Sequence, residues 1–370
     1  MLALIIISAP ASCLHDFTIY WKATSNFIRG FSPYDLPNYE TYLEQCPALG
    51  VSNINMKAWG PPWLFALLAP IGMVSLTFGK IIFVLGFIVS ILVASIFLLK
   101  VYGLPLKTKS FVLYFSLAPI GIWWTTLQWG SPSWFILLGI AGFLSFSLKK
   151  ADFLSGLFLI ITLVKVHLVV SFLVAVLLRA LLEKRYQLVF GFFSGFSILL
   201  LISTYLNPLA FFTFWEMYNS DAFSWLTSAS IPSVITGILP AIREGAFLIC
   251  IIMQLLFAIY LSRKESFAIL AAVMLPLSVA FSPFAWGHDY IVCLPAYIFL
   301  LKIIWESKNK DLNRGYIIRA IILVNLIALF LAAKFFIPGW WFVSYGVALT
   351  IITLHSYFDR REEISYVFSQ

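Results

Sequence analysis

Residues 80–100 read KIIFVLGFIVSILVASIFLLK. Nothing between Lys80 and Lys100 carries a charge, and the run has about the 20 residues that a helix needs to cross a bilayer's hydrocarbon core at about 1.5 Å per residue. A helix that is apolar all round has no side to turn to water, so lipid or other helices must surround it. Further apolar runs occupy 61–77, 109–127, 132–148, 152–166, 168–182, 187–206, 244–262, 266–282, 290–305, 317–336 and 339–357, and a shorter one occupies 1–14. One such run is a buried helix; a chain made of them is a polytopic membrane protein.

Composition agrees. Of the 370 residues, 62% are hydrophobic and 11% charged, where soluble domains run near about 25% charged. Mean hydropathy is +0.97. A water-soluble fold could not hide that much apolar surface, which excludes a soluble enzyme, a nucleic-acid-binding domain and a disordered chain. The net charge of +8 does not point to nucleic acid, because the 24 Lys and Arg fall in short clusters between apolar runs. Cys13, Cys46, Cys250 and Cys293 lie far apart, with no zinc-knuckle spacing and no disulfide framework.

Those clusters set the sides. Lys100/Lys107/Lys109, Lys149/Lys150, Arg179/Lys184/Arg185, Arg263/Lys264, Lys302/Lys308/Lys310/Arg314/Arg319 and Arg360/Arg361 hold seventeen of the 24. Lys22, Arg29, Lys57, Lys80, Lys165, Arg243 and Lys334 fall in the alternate connections. Positive charge marks the cytoplasmic side, so the first set is assigned there. If 1–14 crosses outward and 80–100 crosses inward, 61–77 cannot span. Its prolines Pro61, Pro62 and Pro70 suit a broken, half-inserted helix, which protein or a cavity must enclose. The expectation is an all-α chain, 1–370 as one transmembrane domain. It has about twelve crossings in the plasma membrane, both termini cytoplasmic, and a large first extracytoplasmic loop over 15–57.

Within that loop, Phe17, Tyr20, Trp21, Phe27 and Ile28 recur at helical spacing before Gly30. They predict a short amphipathic helix in the interface, with Tyr and Trp at headgroup level. The same outer side receives His15-Asp16, Gln128, Lys165 with His167, the loop 207–232, Arg243-Glu244 and His288-Asp289. Ionisable groups at membrane depth are rare and usually functional. Ordinary roles compete at each position. Asp16 can be a helix N-cap, and Lys165 can snorkel to headgroups. Gln128 can belong to an aromatic-belt turn, Arg243 can pair with Glu244, and His288 can be a hydrogen-bonded structural residue.

The layout suits a sugar carried on a polyprenyl phosphate. Phosphate is already a good leaving group, so the reaction needs a carboxylate base for the acceptor hydroxyl and cations or donors for the departing charge. Asp16 can supply the base; Lys165, His167 and His288 can face the phosphate, with His15, Gln128, Arg243 and Asp289 as further site candidates. The alternative is a transporter or flippase of a lipid-linked sugar using the same outward groove.

Four stretches carry a resemblance: His15-Asp16-Phe17 with Tyr20 and Gly30-Phe31-Ser32-Pro33-Tyr34-Asp35; Pro61-Pro62 through Pro70; Lys165-Val166-His167; and Ser282-Pro283 through Trp286-Gly287-His288-Asp289. Together they resemble the GT-C superfamily of membrane glycosyltransferases, and within it glycosyltransferase family 87, the polyprenol-phosphate-mannose-dependent α-mannosyltransferases. The resemblance implies an inverting transfer, of mannose first among sugars, to a lipid-linked or glycan acceptor of the cell envelope. It implies Asp16 as catalytic base and Lys165 and His288 near the donor phosphate. The chain departs from the family's pattern at Val166, where Lys-Pro is frequent, and at Asp289, where a second His stands. A single Asp in place of DxD calls for no metal, and no cofactor is implied.

The topology has a direct test. In a Cys-free background, a cysteine at position 219 should react with an impermeant maleimide in intact cells. One at position 310 should react only after lysis. Labelling at 310 from outside would reverse the sides.

Overall fold

The computed structural model describes residues 14–35, 58–107, 119–219, 243–306 and 342–359, with 114, 230–232, 235, 317–323 and 325. All regular structure among them is helical. The elements are α1 (His15–Ile28), α2 (Pro62–Gly72), α3 (Leu76–Val101), α4 (Ile120–Trp129), α5 (Ser133–Leu148), α6 (Asp152–Ile161), α7 (Val170–Leu182), α8 (Tyr186–Leu206), α9 (Ala210–Asn219), α10 (Arg243–Ser262), α11 (Phe267–Ala280), α12 (Leu294–Glu306) and α13 (Phe342–Asp359). Two 3-10 turns interrupt them, Thr162–Leu168 between α6 and α7 and Gly287–Cys293 before α12. The run at 1–14 (all but residue 14), the stretch 36–57, residues 109–113 and 115–118 of the run at 109–127, and most of the run at 317–336 lie outside the described residues.

Among the described residues, three helical segments are long and apolar enough to cross a membrane: Leu76–Val101, Tyr186–Leu206 and Gly287–Glu306. α3 shows how they are built. Phe83, Phe87, Ile91, Ala94 and Leu98 are buried, while Phe78, Ile81, Leu85, Val89 and Leu92, also three and four residues apart, are about half exposed. Both faces are apolar. An exposed apolar stripe of that length is a liability in water and an ordinary surface in hydrocarbon.

Lipid tails are as apolar as Leu, so helices in a membrane gain little by hiding apolar surface and rely on close packing. Glycine supplies it here. A Cβ on Gly156 of α6 would stand 2.1 Å from the Leu188 carbonyl oxygen of α8, and one on Gly191 of α8 would stand 2.3 Å from the Phe153 carbonyl oxygen of α6. Gly191 and Gly195 form a small-xxx-small pair against α6, and Gly142 of α5 lies under the Phe158 ring from the other side. α6 is held between α5 and α8 at backbone contact.

The bundle has two chemically different ends. At one, Arg185 pairs with Asp152 and donates to the Ser147 hydroxyl (2.9 Å) and carbonyl (3.0 Å), tying the end of α5 and the start of α6 to the start of α8. Its guanidinium lies 5.0 Å from the Phe267 ring at the start of α11. Lys149, Lys150 and Lys184 belong to the turns of that end. The opposite end holds both 3-10 turns, the end of α4 and the start of α5, with α1 and α2 over them.

α2 has 11 residues, a length of about 16 Å, half of what a span requires. Pro62 opens it where a missing N–H costs nothing, and Pro70 lies in its last turns. The half-length expected for this segment is therefore what forms. α1 ends at Ile28, with Gly30 at φ +79, so the helix expected over this stretch forms. Tyr20 is buried, and Trp21 donates its indole N–H to the Val74 carbonyl at 3.0 Å. The apolar side of α1 packs on α2 and α3. Trp63 of α2 donates to the Leu163 carbonyl (3.0 Å), and Asn207, after α8, donates to the Phe31 carbonyl (2.8 Å). The stretch 207–232, expected as a loop, contains α9.

Gly156→Val should force α6 off α8, because the obstructing atoms are backbone and cannot rotate away. Thermal unfolding in detergent should show a lower Tm for Gly156→Val, and a near-native Tm for Phe190→Val on the exposed face of α8.

Candidate active site

α1 begins at His15 with Leu14 as its N-cap and no side-chain cap bond. Asp16 is therefore not the cap. It lies in the first turn, where the free N–H groups favour an anion. The turn after α4 fixes its surroundings. Gly130 has φ +69, a region that excludes most side chains, and a Cβ there would stand 2.9 Å from Phe17 Cβ and 3.0 Å from Leu14 Cβ. Only glycine lets this turn close onto both neighbours of the His15-Asp16 pair. The preceding Trp129 packs edge-on to His15, ring centroids 5.8 Å apart, and lies 6.3 Å from the His288 ring.

Lys165 comes from the Thr162–Leu168 turn, where the chain leaves helical geometry at φ −136, ψ 74. Its ammonium donates to Asp289 Oδ1 at 2.8 Å and to Ser131 Oγ at 3.2 Å. Asp289 is fully buried. It also accepts from the Ser133 hydroxyl and, on Oδ2, from the Trp286 N–H at 2.9 Å. The backbone of the Gly287–Cys293 turn is held by Thr126, which donates to the His288 carbonyl at 3.0 Å. That leaves the His288 ring between two carboxylates, with Nε2 3.6 Å from Asp16 Oδ2 and 3.7 Å from Asp289 Oδ1. His15 Nδ1 lies 3.7 Å from Asp16 Oδ1.

The structure thus brings together Asp16, His15, His288, Asp289 and Lys165 from three separate parts of the chain. Lys165 does not snorkel. It is 7% exposed, and its ammonium pairs with Asp289. His167 packs on Phe284, the ring centroids 4.2 Å apart, and burial pushes its pKa down to about 3, with Asp289 opposing that shift and Lys165 adding to it. A neutral imidazole brings no positive charge to a phosphate. Gln128 is half-buried at the end of α4, and Trp129 makes the ring contacts there. α10 begins at Arg243, whose side chain lies outside the described residues.

Ser131, Ser133, Thr126 and the Trp286 N–H were not visible as site groups in the sequence. The only signal is Ser131-Pro132-Ser133 directly after Gly130, which reads equally well as a turn.

Asp16 is the carboxylate with access to solvent: its side chain is 19% exposed, that of Asp289 0%. Burial would raise its pKa. The contact with His15 and the nearby His288 and Lys165 outweigh that and hold the carboxyl below its ordinary value, so it is an anion at neutral pH. Asp289 is committed to structure; Asp16 is available for chemistry. Among the described residues no three His, Cys, Asp or Glu side chains are arranged to hold a metal ion. No family model, curated protein or solved structure matches the chain.

Lys165→Met should leave Asp289 a buried, unpaired anion and cost about 3–5 kcal/mol of stability. Lys165→Met with Asp289→Asn removes both charges and should recover most of that loss. Thermal unfolding of the two variants in one detergent measures the difference.

Proposed function

We propose that the chain is a multi-pass membrane glycosyltransferase of about twelve crossings, resembling the GT-C enzymes. It moves a sugar, mannose first among candidates, from a polyprenyl-phosphate donor to a lipid-linked or glycan acceptor. The site faces the extracytoplasmic side of the plasma membrane, and both termini are cytoplasmic. The observation that carries the reading is Asp16: an ionised, partly exposed carboxylate set against His288 at one end of an apolar bundle.

The chemistry follows from the groups. The acceptor hydroxyl gives its proton to Asp16 as its oxygen bonds to the sugar's anomeric carbon, and the carbon–oxygen bond to phosphate breaks with its electron pair on the phosphate. Attack opposite the leaving group inverts the anomeric carbon. His288 borders Asp16 and stands where charge on the phosphate grows. The lipid tail needs an apolar path beside the site. A recess of about 260 Å³, counted with its open mouth, lies between α1, α2, α3 and the Gly130 turn, lined by Phe17, Tyr20, Leu68, Ile71 and Phe83 among others.

Asp16→Asn keeps shape and burial and removes the base. Purified protein in liposomes, supplied with radiolabelled polyprenyl-phosphate sugars and membrane extract as acceptor, should lose about 10²–10⁴ in transfer rate. An Asn variant that transfers at the wild-type rate would end the reading.

A further inference from the structure

Asp289 is held on every side: Lys165 and Ser133 bond it, the Trp286 N–H takes Oδ2, and none of it is exposed. A carboxylate so occupied does not bind substrate. It does border His288, whose Nε2 has Asp289 Oδ1 at 3.7 Å and Asp16 Oδ2 at 3.6 Å. Two negative oxygens around one ring nitrogen decide where the ring's hydrogen resides. A bare lone pair on Nε2 would be repelled by both, whereas an N–H is attracted by both. Both distances exceed that of a hydrogen bond, so neither carboxylate consumes the donor. Among the described residues Nε2 is buried with no hydrogen-bond partner, a state that native proteins seldom leave without a use.

We infer that Lys165 and Asp289 are positioning residues: their ion pair keeps the hydrogen of His288 on Nε2 and the ring beside Asp16, so that Nε2–H is a donor set in place for the departing phosphate. The inference rests on the transferase reading. As the sugar–phosphate bond breaks, its electron pair stays on the phosphate oxygen, which accepts a hydrogen bond from Nε2–H. The acceptor's proton goes to Asp16, and His288 gives up none. Lys165 acts at one remove, by allowing Asp289 to stay a buried anion. The groups near the ring are Asp16 of α1, Trp129 of α4, Lys165 of the Thr162–Leu168 turn, and Asp289 of its own turn.

The chain has four His, so the ¹⁵N signals of histidine-labelled full-length protein in detergent can be assigned with His288→Gln. At neutral pH the wild-type His288 signals should show Nε2 carrying hydrogen. Lys165→Met with Asp289→Asn, which removes charge in balance, should move them toward a mixture of tautomers. It should also lower kcat for radiolabelled polyprenyl-phosphate mannose by about 10²-fold, the scale of losing one preset donor, with donor KM unchanged. Ser133→Ala, a milder change that removes one donor to Asp289, should shift the nitrogens in the same direction. A bare Nε2 in the wild type overturns the inference, as do wild-type shifts in the double variant or a loss that falls on donor KM with kcat unchanged, which would make Lys165 a phosphate ligand. A wild-type protein that transfers no sugar from any polyprenyl-phosphate donor ends the transferase reading instead, and the nitrogen shifts still decide whether the pair sets the tautomer.

Discussion

The buried pair of Lys165 and Asp289 constrains the site end of this protein more than any other contact. Removing two opposite charges from water costs several kcal/mol per ion, and their attraction recovers it only when the remaining bonding capacity is filled. Here it is filled from three places: Ser131 on the ammonium, and Ser133 and the Trp286 N–H on the carboxylate. Each partner brings its own segment. α6 must give way to a 3-10 turn for Lys165 to reach inward, α5 must begin at Ser133, and the chain after α11 must turn at Trp286. Once these are fixed, His288, which precedes Asp289 by one residue in the chain, has little freedom. Asp16 then completes the group from a helix that otherwise belongs to another layer.

Away from that end the helices are held by different physics. Their outward faces are as apolar as their inward ones, so burial alone cannot choose the packing. Backbone approach at Gly156, Gly191 and Gly195 chooses it for α6 and α8. α1 and α2, shorter than the three candidate spans, hang on side-chain bonds to carbonyls from Trp21, Trp63, Tyr34 and Asn207. Such bonds suit segments that end inside the protein, because a helix terminus there leaves carbonyls needing donors. The small-residue contacts make a rigid bundle, and the carbonyl clasps hang the Asp16 helix on it.

Much of this was legible in the sequence. Runs without charge gave α3 and α8 almost to their ends, and Pro61, Pro62 and Pro70 gave the short α2. The gathering of Asp16, Lys165 and His288 at one end followed from counting sides. Pairings were not legible. Hydropathy averages over a window, so it passes over a turn like Thr162–Leu168, which breaks a helix while staying apolar. Lys165 and Asp289 are 124 residues apart, and nothing in either neighbourhood says that one neutralises the other. The spacing of Phe17, Tyr20 and Phe27 shows that α1 has an apolar face but not whether lipid or α2 covers it. Ser131 and Ser133 look like turn residues until a buried charge is placed beside them.

The division of labour between the two carboxylates is set by surroundings rather than by residue type. Asp289 and Asp16 both lie within 4 Å of the same imidazole nitrogen. One is surrounded by donors, shut from solvent and matched by an ammonium; the other keeps a solvent path and has only imidazoles beside it. Environment is also what separates paired carboxylates into different roles in enzymes that use them. Counted together, Lys165 cancels Asp289 and leaves the cluster one negative charge, carried by Asp16. In the proposed transfer, Asp16 takes a proton on one side while an N–H of His288 meets growing negative charge on the other. Were Lys165 free to bind a ligand, Asp289 would be left as a second uncompensated anion against His288, and the ring would be drawn to it and away from Asp16.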